Sequence, residues 1–315
     1  MPIKEFREMM RTPKLNFYLP GVMKEETRAV RVLCWVMTGP STHYTKAVHV
    51  KTTWGSHCDK LIFMSSQEDL ALGAVALNIS EGRQNLWGKT KRGFQYCYQH
   101  HRNEFDWFLK ADDDTFMVIE NLKDFLKPFN TNEAIHFGHH FKYRGGYFAG
   151  GAGYVLSREA LRKFTQEGLT NSSICQQSDG GDEDVNMGAC MRKLNVTHGD
   201  SRDHQKRKRF FPFHPQDHLI PKSGRKDWFY EKYTKWPELN GTACCSDTAI
   251  SFHYISPPML YVMYYLVYHL RLTPSGECPM SSLVRSTLVN FRPLPPYDNE
   301  DSELVNISVE YPEEE

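Results

Sequence analysis

The 315-residue sequence predicts an α/β fold, a largely parallel sheet with helices on both faces, and three observations carry that prediction. Strand-length apolar runs alternate with stretches of helical spacing, as in sheets built from β-α-β units. With 40% of residues hydrophobic and 13% aromatic, the chain can bury one large core or two smaller ones. Three consecutive aspartates follow directly on one of the apolar runs, and in such sheets ligands bind beyond the carboxyl ends of the strands.

Residues 1–28 read as an irregular, charged lead-in with no signal-peptide pattern. Residues 30–37 (VRVLCWVM) are a continuous apolar strand, closed by Gly39 and Pro40. A short helix follows over 45–54, then strands over 60–64 (KLIFM) and 74–79 (AVALNI). Residues 86–105 make a long helix rich in aromatic and basic side chains. The next strand is 106–111 (DWFLKA), and the next helix 119–126.

Five glycines then fall between 145 and 153, helical spacing resumes over 158–167, and 185–194 is a helix opened by acidic residues. Residues 199–240, dominated by His, Pro, basic and aromatic residues, suggest long loops and a substrate face. Within them Lys206, Arg207, Lys208 and Arg209 read as a solvated basic loop. Residues 259–272 (MLYVMYYLVYHLRL) are too short to span a bilayer and are broken by His269 and Arg271, which predicts a core or interface helix. From Tyr297 onward there are eight acids and no Lys or Arg, the pattern of an extended or disordered tail.

Charge and cysteines narrow the class. Lys plus Arg and Asp plus Glu are both 38, so nothing electrostatic points to nucleic acid. The eight cysteines (Cys34, Cys58, Cys97, Cys175, Cys190, Cys244, Cys245 and Cys278) are an even set, consistent with up to four disulfides. None forms a C-x-x-C pair. Cys34 with Cys58 and Cys175 with Cys190 are plausible local pairs. N-glycosylation acceptor patterns start at Asn78, Asn171, Asn195, Asn240 and Asn306, five of the fourteen asparagines, where chance predicts roughly two. Sequons and cysteines together point to a lumenal or extracellular protein, whose targeting segment would precede residue 1.

Asp112, Asp113 and Asp114 follow the strand over 106–111, and three carboxylates cannot be buried together without a cation. Hard carboxylate oxygens suit magnesium or manganese, ions that bridge protein carboxylates to substrate phosphates. The plainer alternative is a solvated acidic turn.

Residues 106–116 (DWFLKADDDTF) resemble the nucleotide-sugar motif of the β1,3-glycosyltransferases of family 31, which include the fringe enzymes. Residues 48–54 (VHVKTTW) resemble that family's first helix motif, 147–157 (YFAGGAGYVLS) its glycine-rich acceptor segment, and 180–185 (GGDEDV) its Glu-Asp-Val motif. Four motifs in order cover about residues 30–255. Cys244-Cys245-Ser246-Asp247 and Phe252-His253-Tyr254 are similar to the core 1 branch of the family.

The resemblance implies a GT-A-like fold with a central mixed sheet, in a catalytic domain over 29–285 with a nucleotide-binding half to about 140 and an acceptor half beyond. It implies inverting transfer of galactose from UDP-galactose to the 3-OH of N-acetylgalactosamine on Ser or Thr of glycoproteins, with manganese as cofactor. A homodimer in the Golgi lumen, anchored through an N-terminal membrane segment, is implied as well, with 259–270 as candidate interface. The alternatives are a β1,3-transferase of other donor or acceptor, and a chaperone-like relative that lacks the aspartate cluster.

By the same resemblance Asp112 and Asp114 bind metal and UDP, Asp113 faces the donor, and His253 is the distal metal ligand. A histidine among aromatics is by itself more often packed core. Asp184 is the expected general base, with Asp182 and Glu183 weaker candidates; a carboxylate within hydrogen-bond reach can take the acceptor's proton. Met37, Thr38 and Tyr254 are expected at the nucleotide. Glu81, Gly82, Arg83 and Lys89 resemble the segment that contacts UDP, where a basic side chain would offset leaving-group charge. Glu183, Gly151 and Trp228 are expected at the acceptor, with Tyr230 and Trp236 as further aromatic candidates.

Overall fold

The computed structural model describes residues 29–220, 228–237, 239 and 241–271, and the side chain of Trp228 is not among what it describes. The expectations for the lead-in, the acidic tail, Asn240, Asn306 and Cys278 therefore lie outside the described residues. Those through Leu270 belong to one compact unit.

In chain order the described strands begin with β1 (Val32–Met37), β2 (Lys60–Ser65), β3 (Ala74–Ala76) and β4 (Trp107–Asp112). After them come β5 (Phe116–Met117), β6 (Ile135–Gly138), β7 (His140–Phe141) and β8 (Tyr147–Phe148). Last are β9 (Tyr154–Ser157), β10 (Thr197–His198) and β11 (Ser251–Phe252). The helices are α1 (Val48–Thr52), α2 (Leu86–His101), α3 (Ile119–Leu126) and α4 (Arg158–Lys163). They continue with α5 (Glu183–Lys193), α6 (Pro215–Leu219), α7 (Trp228–Tyr233) and α8 (Pro257–Tyr268).

Seven strands form one sheet in the order β10-β6-β9-β4-β1-β2-β3. β9 runs antiparallel to its neighbours β4 and β6, while every other pairing is parallel. This is the mixed central sheet flanked by helices that the resemblance implied. β1 reads as an unbroken apolar run because both its faces are covered: Val32, Cys34 and Val36 enter one core, and Leu33, Trp35 and Met37 the other. Each such side chain contributes about 1.5–3 kcal/mol by leaving water.

Local differences from the sequence reading have identifiable causes. The helix expected over 45–54 is three short pieces, a π turn His43–Ala47, α1 and a 3-10 turn Trp54–His57. Trp54 is drawn into the core there and donates its indole N–H to the Thr115 carbonyl at 2.8 Å. β3 stops at Ala76, and α2 stops at His101 rather than 105. β4 starts where Asp106 is clamped by Arg31 and Arg158.

α8 explains the apolar run near the described end. Tyr261, Tyr264 and Tyr268 share one helical face. Their hydroxyls reach His49 and Thr52 of α1, His57, and Glu120 of α3, at 2.6–3.2 Å. Val262, Tyr265, Leu266 and Val267 are exposed. No helix among the described residues is long and apolar enough to cross a membrane.

Cys34–Cys58 and Cys175–Cys190 are disulfides, as the spacing suggested, and Cys244–Cys245 joins adjacent residues. Cys97 corrects the expectation that every cysteine is paired. It lies fully buried on the core face of α2 as a free thiol, and burial pushes its ionisation up. A second correction concerns the basic run. Arg207 binds Asp203 and Asp247, and Lys208 is buried with its ammonium on the Tyr230 and Thr234 hydroxyls. These cations are structural pins rather than a solvated loop. Asn78, Asn171 and Asn195 are exposed.

Candidate active site

The aspartate cluster sits at the centre of the sheet because β4 is central and ends at Asp112. The β1–β4 register sets Met37 beside Asp112. β11 pairs antiparallel with β5, Phe252 opposite Phe116, and this short ladder carries His253 from far along the chain back to the aspartates. The Ile255 N–H closes the turn on the Asp114 carbonyl at 2.9 Å.

His253 Nε2 lies 3.1 Å from Asp114 Oδ1 and 3.9 Å from Asp112 Oδ2. One ligand atom from each of the three residues falls within 4.8 Å of the others. The other ring nitrogen, Nδ1, is 3.2 Å from the Pro212 carbonyl. A carbonyl can only accept, so we assign a proton to Nδ1; Nε2 is then the atom on the carboxylate side, donating to Asp114 where no cation lies between them and able to offer its lone pair to one that binds. Two carboxylates and a neutral imidazole suit a divalent cation.

Two lysines balance the acids. Lys46 Nζ is 3.2 Å from Asp114 Oδ2 and 3.9 Å from Asp113 Oδ1. Lys110 is 1% exposed and donates to Asp112 Oδ1 at 2.6 Å and to the Gly150 carbonyl at 3.1 Å. Burial pushes the Asp113 carboxyl up to about 6, against the hydrogen bond it accepts from Thr38 and the charge of Lys46. Burial acts on Asp114 in the same sense, but His253 and Lys46 outweigh it and hold that carboxyl well below the usual range.

The first turn of α5 supplies two more acids. Glu183 is buried, accepting from Thr90 Oγ1 at 2.9 Å and Tyr154 OH at 2.6 Å, with Lys110 Nζ 3.9 Å away. It was expected beside the acceptor, but its carboxylate is turned into the protein, where these partners offset desolvation. Tyr154→Phe should therefore cost about 1.5–3 kcal/mol, the worth of a hydrogen bond to a charged group, measured by denaturant unfolding. Asp184 faces the site instead. Its Oδ2 accepts the Gly150 N–H at 3.2 Å. Burial and the neighbouring Glu183 push its carboxyl up to about 7, despite the Gly150 N–H and the charge of Lys110.

Two adjacent glycines let these parts meet. A Cβ at Gly150 would stand 2.6 Å from Glu183 Oε2, and one at Gly151 would overlap the His253 ring. Gly151, expected at the acceptor, thus lies directly beneath the histidine of the candidate cation cluster.

On the nucleotide side, Met37 and Thr38 are buried. Lys89 is buried too, and its ammonium bonds Glu81 at 2.7 and 2.9 Å and the Thr38 carbonyl at 2.6 Å. That pair braces the loop after β1, so the charge expected to face a diphosphate is already engaged. Gly82 takes φ +124°, Arg83 is exposed, and Tyr254, with φ +57°, stands exposed against His253 and Phe213. Tyr230 is buried, and Trp236 lies between Arg202 and Lys235. A cavity of about 610 Å³ beside the ends of β2 and β3 holds none of the clustered acids.

A family model described as Fringe-like matches residues 27–217. The chain belongs to the Fringe-like family. Over 262 residues it is 47% identical to glycoprotein-N-acetylgalactosamine 3-beta-galactosyltransferase 1 of Xenopus laevis, covering 81% of this chain and 72% of that protein. It is 30% identical over 225 residues to the beta-1,3-glucosyltransferase of Mus musculus, covering 68% of this chain and 44% of that one. Among solved structures, the galactosyltransferase LgtC with donor and acceptor sugar analogues shares 12% identity at a TM-score of 0.42, over 71% of this chain and 87% of that one.

In this Fringe-like chain the structure brings Asp112, Asp113, Asp114, His253, Gly151 and Asp184 to one place. Glu81, Gly82 and Lys89 gather at the loop after β1. Lys46 and Lys110 were missed by the sequence reading. Lys110 had a signal: it precedes Asp112 by two residues in a strand, hence on the same face. A lysine inside a buried strand needs a carboxylate.

Proposed function

We propose that the protein is an inverting β1,3-galactosyltransferase, moving galactose from UDP-galactose to the 3-OH of N-acetylgalactosamine α-linked to Ser or Thr of glycoproteins. The observation that carries this reading is the pairing of a three-ligand cation cluster with the Asp184 carboxylate across Gly150 and Gly151. The named activity of the frog relative supports the donor and acceptor. Asp112, Asp114 and His253 would hold manganese, which when bound supplies positive charge for the diphosphate leaving group.

Asp184 accepts the proton of the acceptor 3-OH as its oxygen bonds the anomeric carbon from the face opposite UDP. The bond to the diphosphate oxygen breaks in the same step, and UDP leaves with the electron pair. Lys46, beside Asp114 with its side chain 38% exposed, is free to reach a phosphate bound at the cluster. An intact aspartate cluster argues against a non-catalytic chaperone. The catalytic domain spans 29–285, with the exposed face of α8 as the homodimer contact. Exposed Asn78, Asn171 and Asn195 suit N-glycosylation in a Golgi lumen.

The test is UDP release from UDP-galactose with an α-N-acetylgalactosaminyl-threonine peptide, with UDP-glucose and UDP-N-acetylglucosamine in parallel. Turnover should need UDP-galactose, vanish with EDTA and return with manganese. Preference for another donor would replace the galactosyl assignment. Full turnover in EDTA would refute the metal role.

A further inference from the structure

We propose that Lys110 is a positioning residue that ties the cation cluster to the helix bearing the candidate base, so that capture of Asp112 by a cation turns the buried ammonium's charge toward Asp184. The proposal rests on the functional reading above for the roles of the two acids, and otherwise on geometry.

Lys110 Nζ sits where three elements meet. From β4 it holds Asp112 Oδ1 at 2.6 Å, from the loop before β9 it holds the Gly150 carbonyl at 3.1 Å, and it faces Glu183 of α5 at 3.9 Å. Gly150 links the two sides, offering its carbonyl to Lys110 and its N–H to Asp184. A Cβ at Gly150 would lie 3.4 Å from Lys110 Nζ and 3.7 Å from the Asp184 Cβ, so only a glycine's width separates them. With side chains this dry, the ammonium's field is weakly screened.

Among the described residues, three groups bear most directly on Asp184. Glu183 adjoins it on α5, Lys110 comes from β4, and the Tyr154 hydroxyl from β9 is bonded to Glu183. Without a cation, Lys110 is neutralised mainly by Asp112. A divalent ion on Asp112 takes up that carboxylate's charge, and the ammonium then acts on Glu183 and Asp184. Loading the cation should thereby release the proton of Asp184, so that the carboxylate is ready when the acceptor arrives.

The experiment is calorimetric titration of manganese, with UDP present and no acceptor, at pH 7 in buffers of different ionisation enthalpy. The wild-type protein should release about half a proton more per ion than Asp184→Asn, since a carboxyl near 7 is half protonated there. Lys110→Met should lose that Asp184-dependent release, and Lys110→Arg should keep it. Equal release by wild type and Asp184→Asn overturns the tie even if Lys110→Met does not fold. Unchanged release in a folded Lys110→Met overturns it too. Neither readout involves sugar transfer, so these failures leave the proposed function standing, whereas absence of manganese binding would sink both.

Discussion

Asp184→Asn should lower turnover by about 10²–10⁴-fold, the usual contribution of a positioned general base, with UDP and cation affinity nearly unchanged. The asparagine keeps the size and can still accept the Gly150 N–H, so the loss isolates proton transfer. With manganese bound, the wild-type rate should rise with pH as Asp184 ionises, at a pH below the value of about 7 that the carboxyl has without the cation, and the remnant activity of the variant should lack that step. Stability should move the other way. A carboxyl whose folded pKa lies above its unfolded value of 3.8 favours the fold only while protonated, and the benefit fades as pH rises through about 7. Above that pH the variant should melt higher than the wild type in a thermal scan, the mark of a group kept for chemistry. Wild-type turnover in Asp184→Asn would move the base elsewhere, first to Asp182, since Glu183 is fully engaged inside.

Gly151→Ala should disable the protein as thoroughly by a different route. The added methyl overlaps the His253 ring, which cannot retreat without giving up the Pro212 carbonyl or the two aspartates. We expect manganese affinity to fall at least about 100-fold, the upper range for disturbing a ligand's supporting contacts, with turnover falling in parallel. Unfolding free energy should drop by only about 1–3 kcal/mol, as for other overpacked sites. The protein would thus remain folded and metal-poor. Manganese titration followed by electron paramagnetic resonance reads the first effect and denaturant unfolding the second. Native metal affinity in Gly151→Ala would show that His253 is dispensable as a ligand.

Both variants act where one short segment, Gly150 and Gly151, joins the helix of the proposed base to the histidine of the candidate cation cluster. The glycine-rich stretch was visible in the sequence as a family motif, but its reason was not. Neither glycine has a positive φ, so the requirement is for space rather than for backbone freedom. Space of this kind is set by what packs opposite, here Glu183 and His253, and those neighbours come from distant parts of the chain.

The sequence by itself determined the apolar strands that alternate with helices and the end of β4 as the acidic site, and it made the two local disulfides plausible pairs. Each is written in a short window, as unbroken apolar runs of strand length, as like charges that demand a counter-ion, or as two cysteines 24 or 15 residues apart. Only the tertiary structure decided that Glu183 turns inward while Asp184 faces the site, and that Cys97 stays a thiol. It likewise decided that Lys89 braces a loop and that Arg207 and Lys208 are pins. The physical reason is common to these cases. A charged or reactive side chain takes its role from the partners that compensate its burial, and those partners are brought by strands and loops remote in sequence, as β11 brings His253 to Asp114.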